Sequence, residues 1–185
     1  LFYYNSLIKN DLEIKIKEII KKSSFIKGAD NAEFEENFAK FCFTKHCIGV
    51  GNCTDALEIC IEALNLPKGS EIIVPANSFI ATSEAVSTSG HKVIFVDCDK
   101  DNYTICLKSL EKKINKKTRA IIAVHLYGHP CDIDQIRNII KGNNIFIIED
   151  CAQSHGALYK NRTAGSLGDI AAFSFYPGKN LGAFG

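Results

Sequence analysis

The sequence predicts an α/β domain of three layers, with helices on both faces of a mostly parallel sheet. Continuous apolar runs of strand length alternate with stretches whose apolar residues recur at helical spacing, the pattern of a sheet covered on both faces. Hydrophobic residues make up 46% of the 185, enough for a packed core in a domain of ordinary size. No repeat or low-complexity tract interrupts the alternation.

Taken in order, residues 7–22 place apolar residues at helical spacing with lysines opposite, and residues 32–43 do the same with Phe34, Phe38 and Phe41. Residues 47–51 (CIGVG) read as a short strand ending in glycine. They lead into a helix over 54–66, with Thr54 suited to its N-terminus and Asp55 favourable to its dipole. A buried strand follows at 70–76, then a helix over 78–90 that stops at Gly90. Strands are expected at 92–99, 118–128, 144–153 and 168–176, and helices at 106–114 and 132–142. Ligands in such sheets collect beyond the carboxyl ends of the strands. Those ends read GNCTD, PANSF, HLYGHP, EDCAQSH and FYPGKN, so polar and special-geometry residues gather where a site belongs.

The net charge of +1 and the scattered Lys and Arg give no reason to expect nucleic acid or a membrane surface as partner. No apolar run approaches the ~18 residues that span a bilayer, and no signal peptide is visible. The eight cysteines form no CxxC pair and no zinc-ligand spacing. They read as small apolar core residues in a reducing cytosol. Methionine is absent even at position 1 and the chain stops abruptly after Gly185, so a fragment of a longer protein is expected.

Two phosphate-binding motifs are excluded. GVGNCT lacks the third glycine of a dinucleotide fingerprint, and Lys179 lacks both the earlier glycine and the following Ser/Thr of a P-loop. What remains is more general. The N–H groups at the start of the 54–66 helix, with the Thr54 hydroxyl, suit a phosphate, or Thr54 is an ordinary cap. Asp150, at the mouth of a buried strand, suits a cationic ring nitrogen, or it is a helix cap or a solvated loop end. Gln153 adds a donor and an acceptor nearby. Phe79 suits a planar ligand face-on, or it packs in the core. Lys179 sits in a Pro-Gly turn five residues after Ser174. That arrangement suits a serine hydroxyl on an anion and a lysine amine on a carbonyl of one ligand.

Together FIKGADNAEFEENFAKFCFTKHCIGVGNCTDAL, IIVPANSFIATSEAV, AVHLYGHPCDID, IEDCAQSHGA and FSFYPGKNLGAFG resemble the DegT/DnrJ/StrS family of sugar-nucleotide aminotransferases. These are fold-type-I enzymes dependent on pyridoxal phosphate (PLP). The resemblance implies that Lys179 forms the Schiff base and shuttles the proton, that Asp150 pairs with the pyridine nitrogen, and that Gln153 meets the ring hydroxyl. It implies that Phe79 stacks on the ring, and that Ser174, Thr54 and the backbone at Asp55 hold the phosphate. Many relatives have glycine where Cys53 stands.

The implied reaction moves an amino group from an amino acid, usually glutamate, through pyridoxamine phosphate to a keto group of a nucleotide-linked deoxysugar. FYPGKNLGA looks most like members that aminate a 3-keto sugar on a dTDP carrier. Amino-sugar biosynthesis for a surface polysaccharide or a glycosylated natural product follows from that. A dehydratase of the same family is the alternative, but those carry histidine in place of the lysine; a non-catalytic nucleotide-sugar-binding module would predict loss of Lys179 or Asp150. The family habit is a cytoplasmic homodimer with composite active sites. The expected organisation is an N-terminal helical segment over 1–30 and a PLP-binding large domain over 31–185, with the C-terminal domain outside this chain.

Overall fold

The computed structural model describes residues 2–183. They form two compact units, one running up to residue 41 and taking in 45–49, the other made of residues 42–44 and the chain from residue 50 onward. The sequence division at residue 30 and this division at residue 41 differ by the second helix.

The smaller unit holds α1 (Phe2–Lys22) and α2 (Ala29–Phe41). Lys21 and Lys22 close α1 where cations favour the dipole. On α2 the rings of Phe34, Phe38 and Phe41 follow one another at centroid distances of 5.5 and 5.7 Å, one face of a helical repeat. The strand expected at 47–51 does not form. Its backbone meets side chains instead of a ladder: Gly49 N–H donates to Glu35 Oε1 at 2.7 Å. Ile48 is 78% exposed there, so no buried face supports a strand.

The larger unit begins with α3 (Cys53–Ala63), followed by β1 (Glu71–Pro75), α4 (Ile80–Thr88), β2 (Lys92–Val96) and α5 (Leu107–Lys113). Next come β3 (Thr118–Val124), a 3-10 turn at Leu126–Gly128, α6 (Ile133–Ile139) and β4 (Phe146–Asp150). The hairpin β5 (Leu158–Tyr159) and β6 (Arg162–Thr163) precedes β7 (Ile170–Ala172). Five strands form one parallel sheet in the order β2-β1-β3-β4-β7. Alternate strand residues enter opposite layers. Ile72, Val74, Ile122 and Ile148 pack with Leu57 and Ile61 of α3 and with Ala85 and Val86 of α4. Ile73, Ile121 and Ile147 pack on the other face with Leu110 of α5 and with Ile133 and Ile136 of α6. The three layers are those the apolar runs predict.

Several elements are shorter than predicted. The last strand keeps only Ile170–Ala172 of the expected 168–176, because beyond it Phe175 C=O accepts from Ala183 N–H at 2.8 Å rather than from a strand. The hairpin β5–β6 is an unpredicted element, turned by Lys160 and Asn161 at φ 49° and 65°. Paired positive φ values are the signature of a two-residue hairpin turn.

Candidate active site

Every predicted site residue belongs to the larger unit. The parallel strands all end at one edge, and β4 delivers Asp150 there. Asp150 is 5% exposed, which excludes a solvated loop end. Its Oδ2 accepts from Thr82 Oγ1 at 2.9 Å and its Oδ1 from Ala152 N–H at 3.1 Å. Burial nevertheless pushes its carboxyl above the usual range; the two hydrogen bonds and Lys179 only partly oppose that. A buried carboxylate so under-compensated is stabilised by a cation placed against it.

Helix α3 starts differently from the sequence reading. α3 is capped by Asn52, not Thr54: Asn52 Oδ1 accepts from Asp55 N–H at 2.9 Å. Thr54 lies inside the first turn, half-buried. Asn is among the strongest caps, and the acid three residues later marks Asn52 as the cap. The Asp55 N–H is therefore engaged by Asn52, and an anion reaching it has to displace that side chain.

Lys179 sits in the turn after β7 and is half-buried. Its N–H donates to Tyr176 C=O at 2.8 Å. The turn is so tight that a Cβ on Gly182 would lie 2.3 Å from Pro177 O. Gly182→Ala is expected to open the turn at a cost of about 1–3 kcal/mol. An absorbance titration of the full-length protein with PLP should read that as roughly tenfold weaker binding. The lysine's charge acts on Asp150, Cys53 and His155, lowering the pKa of each, so the turn, the end of β4 and the start of α3 share one electrostatic neighbourhood. Burial pushes the Cys53 thiol up to about 12, so at neutral pH it is an uncharged side chain beside that ammonium. Ser174 is buried, and its Oγ accepts from Tyr176 N–H at 3.4 Å.

Gln153 is half-buried, and its Oε1 accepts from Tyr127 N–H at 2.7 Å. With its oxygen so engaged, its NH2 end is the one oriented to donate to a ligand. Tyr127 takes φ 56° to make that bond, a conformation that bulky residues adopt only under constraint. Phe79 is 72% exposed, so core packing does not account for it. It lines a concavity with Pro75, Ser78, Thr82 and Phe95.

Sequence reasoning missed the buried pair beneath this edge. His125 and Glu149 are fully buried, with Nε2 and Oε2 2.8 Å apart. Glu149 also accepts from the N–H groups of Gly165, Leu167 and Gly168 at 2.9, 2.7 and 2.6 Å. The hydrogen bonds from His125, Gly168 and Gly165 hold its carboxyl below the usual range despite burial. Glu149 pulls His125 towards the imidazolium, while burial and the Cys131 N–H donating into Nδ1 at 3.0 Å favour the neutral ring. The donated N–H decides it: Nδ1 carries no proton, and Nε2–H donates to Glu149. Glu149, His125 and Cys151 lie close enough to suggest a metal, but the Glu149 oxygens are already committed to four donors.

The pair ties β3, β4 and the loop before β7 together just below Asp150. Glu149→Gln would turn an NH2 towards N–H donors, and we expect it to cost about 3 kcal/mol or more, read as a lower denaturant midpoint. Because the Glu149 carboxyl is depressed in the fold, its contribution is present above the unfolded value of about 4.3. It is lost as pH falls through the folded one.

The donor set fits PLP. Asp150 is a buried carboxylate stabilised by a cation, Lys179 an amine in the same field, and Gln153 an oriented amide. Thr54, Ser174 and the start of α3 offer hydroxyl and N–H donors suited to a phosphate.

Fold and site together define a three-layer α/β protein with a lysine and a buried carboxylate at the carboxyl edge of a parallel sheet. The chain belongs to the DegT/DnrJ/EryC1/StrS aminotransferase family, whose description matches residues 6–185. It is 39% identical over 178 residues to dTDP-3-amino-3,4,6-trideoxy-alpha-D-glucose transaminase of Streptomyces venezuelae, covering 96% of this chain and 47% of that protein. It is 44% identical over 171 residues to dTDP-3-amino-3,6-dideoxy-alpha-D-galactopyranose transaminase of Aneurinibacillus thermoaerophilus, covering 92% and 47%. The solved structure of S. venezuelae DesV in complex with a ketimine intermediate superposes with a TM-score of 0.95 at 38% identity, covering 99% of this chain and 49% of that one. GDP-4-keto-6-deoxymannose-3-dehydratase (ColD) superposes with a TM-score of 0.88 at 34% identity, covering 93% and 46%. The chain thus spans about half the length of the curated relatives it matches.

Proposed function

We propose that the full-length protein is a PLP-dependent aminotransferase. It moves an amino group from an amino acid, glutamate in this reading, to a keto group of a nucleotide-linked deoxysugar. The observation that carries this is Asp150, a carboxylate 5% exposed at the end of β4, with Lys179 in the turn after β7, the strand paired with β4, in a chain that matches the aminotransferase family over residues 6–185. PLP, when bound, supplies an aldehyde and an electron-withdrawing ring. Lys179 would hold the aldehyde end at Nζ and would carry a proton at that atom. Asp150 would hold the ring nitrogen in its protonated form, Gln153 would donate to the ring hydroxyl, and Phe79 would cover the ring face. Thr54, the backbone at Asp55 and Ser174 would anchor the phosphate and so leave the reacting end within reach of Lys179.

The acceptor in this reading is the 3-keto group of a dTDP-linked 6-deoxyhexose. Two transaminases named for dTDP-3-amino sugars, at 39% and 44% identity, support it. The protein acts in the cytoplasm as a homodimer with composite sites, without nucleic acid or membrane partner; among the described residues no helix is long and apolar enough to cross a membrane. Lys179 favours transamination over the reaction of the dehydratase relatives.

A half-reaction tests this. Full-length protein loaded with pyridoxamine phosphate is offered dTDP- and UDP-linked 3-keto and 4-keto sugars. Recovery of lysine-bound cofactor absorbance is expected with the dTDP-3-keto sugar. Recovery only with a 4-keto sugar would overturn the substrate assignment, and recovery with none would overturn the transaminase reading.

A further inference from the structure

Thr82 and Ser78 lie outside the set of groups assigned to the cofactor, yet they make a directed contact with Asp150. Thr82 Oγ1 is 2.9 Å from Asp150 Oδ2, and Ser78 Oγ is 2.7 Å from Thr82 Oγ1. A hydroxyl has one proton to give, and an ionised carboxylate only accepts. The Thr82 proton therefore lies on the bond to Asp150, and Ser78 must donate to Thr82. The order of donation is Ser78 to Thr82 to Asp150, running from a half-buried residue that lines the concavity to a buried carboxylate. If Asp150 took a proton on Oδ2, the Thr82 hydroxyl would have to give up its donation and turn its proton elsewhere. Ala152 N–H on Oδ1 opposes protonation at the other oxygen as well.

We propose that Ser78 and Thr82 are positioning residues for the reaction: a one-way hydroxyl chain that fixes the Asp150 carboxylate as an ionised acceptor facing a cationic ring nitrogen. This rests on the reading of Asp150 as the ring partner. The α4 backbone fixes the chain's geometry. Thr82 N–H donates to Phe79 C=O at 3.1 Å, so the residue that covers the ring face and the residue that holds the carboxylate move as one turn. The titratable groups that face Asp150 from other elements are His125 after β3, Cys53 on α3 and Lys179 in its turn; Glu149 and Cys151 flank it in the chain. None of these changes when Ser78 or Thr82 is substituted.

The test follows the Asp150 carboxyl by carbon-13 NMR against pH in full-length, cofactor-free protein, with the Asp150→Asn spectrum assigning the signal. Thr82→Val is nearly isosteric and removes the donor, so the midpoint should rise by roughly one to two pH units. Thr82→Ser should restore it, and Ser78→Ala should raise it by a smaller amount. A Thr82→Val midpoint equal to the wild type overturns the inference. Should that variant fail to fold, an unchanged midpoint in Ser78→Ala overturns it. In protein loaded with PLP labelled with nitrogen-15 in the ring, Asp150→Asn separates the two claims. A ring signal unmoved by that substitution defeats Asp150 as ring partner, while the carboxyl titration still decides the hydroxyl chain.

Discussion

Lys179→Ala in the full-length protein should abolish the visible absorbance of lysine-bound cofactor and reduce transamination to background. An alanine side chain has no amine to bond the aldehyde and none to carry the proton. The loss comprises the covalent hold on the cofactor and the general-base step, which alone is worth about 10²–10⁴-fold. The fold should persist, because Lys179 lies in an irregular turn outside both core clusters. Borohydride reduction of the wild type should fix the cofactor to the peptide containing Lys179, and the variant should show no such adduct. A variant that keeps the absorbance would mean that another amine carries the reaction.

The second large effect is expected at Asp150. Asp150→Asn removes the charge while keeping size and shape, so the absorbance should stay near normal. Transamination should fall by about three orders of magnitude, because a neutral amide no longer favours the protonated ring nitrogen that makes the cofactor electron-withdrawing. Burial sharpens the contrast: at 5% exposure water cannot replace the lost charge. The substitution should not unfold the protein, and relief of a desolvated carboxylate offsets part of any loss. Normal turnover in this variant would mean that Asp150 has another role.

The position of Asp150 at a sheet edge was legible in the sequence because a charged residue there ends an apolar run, and Lys179 stands out as a lysine in a Pro-Gly turn past another. The three layers were legible because the middles of runs such as 71–75 and 146–150, Ile72–Val74 and Ile147–Ile148, are apolar towards both faces. Thr82 was hidden because a threonine within a helical repeat carries no mark of a partner 68 residues away. Glu149 carries no mark in the sequence beyond ending an apolar run beside Asp150. Its four donors come from His125 and from three backbone groups in an irregular loop, a convergence that only the fold creates. Residues 47–51 have strand composition, but a strand needs a partner, and Glu35 takes the Gly49 N–H instead. Thr54 reads as suited to the helix N-terminus because it adjoins the apolar repeat, but the cap is Asn52, whose side chain accepts from the Asp55 N–H.

A crystal structure of the full-length protein grown with PLP confronts these assignments with a single observation. One heterocycle should lie at the carboxyl edge of the sheet, with its ring nitrogen within hydrogen-bond distance of the Asp150 carboxylate and its aldehyde carbon on Lys179 Nζ. A cofactor bound elsewhere, or a ring whose nitrogen faces any group other than Asp150, would contradict the account.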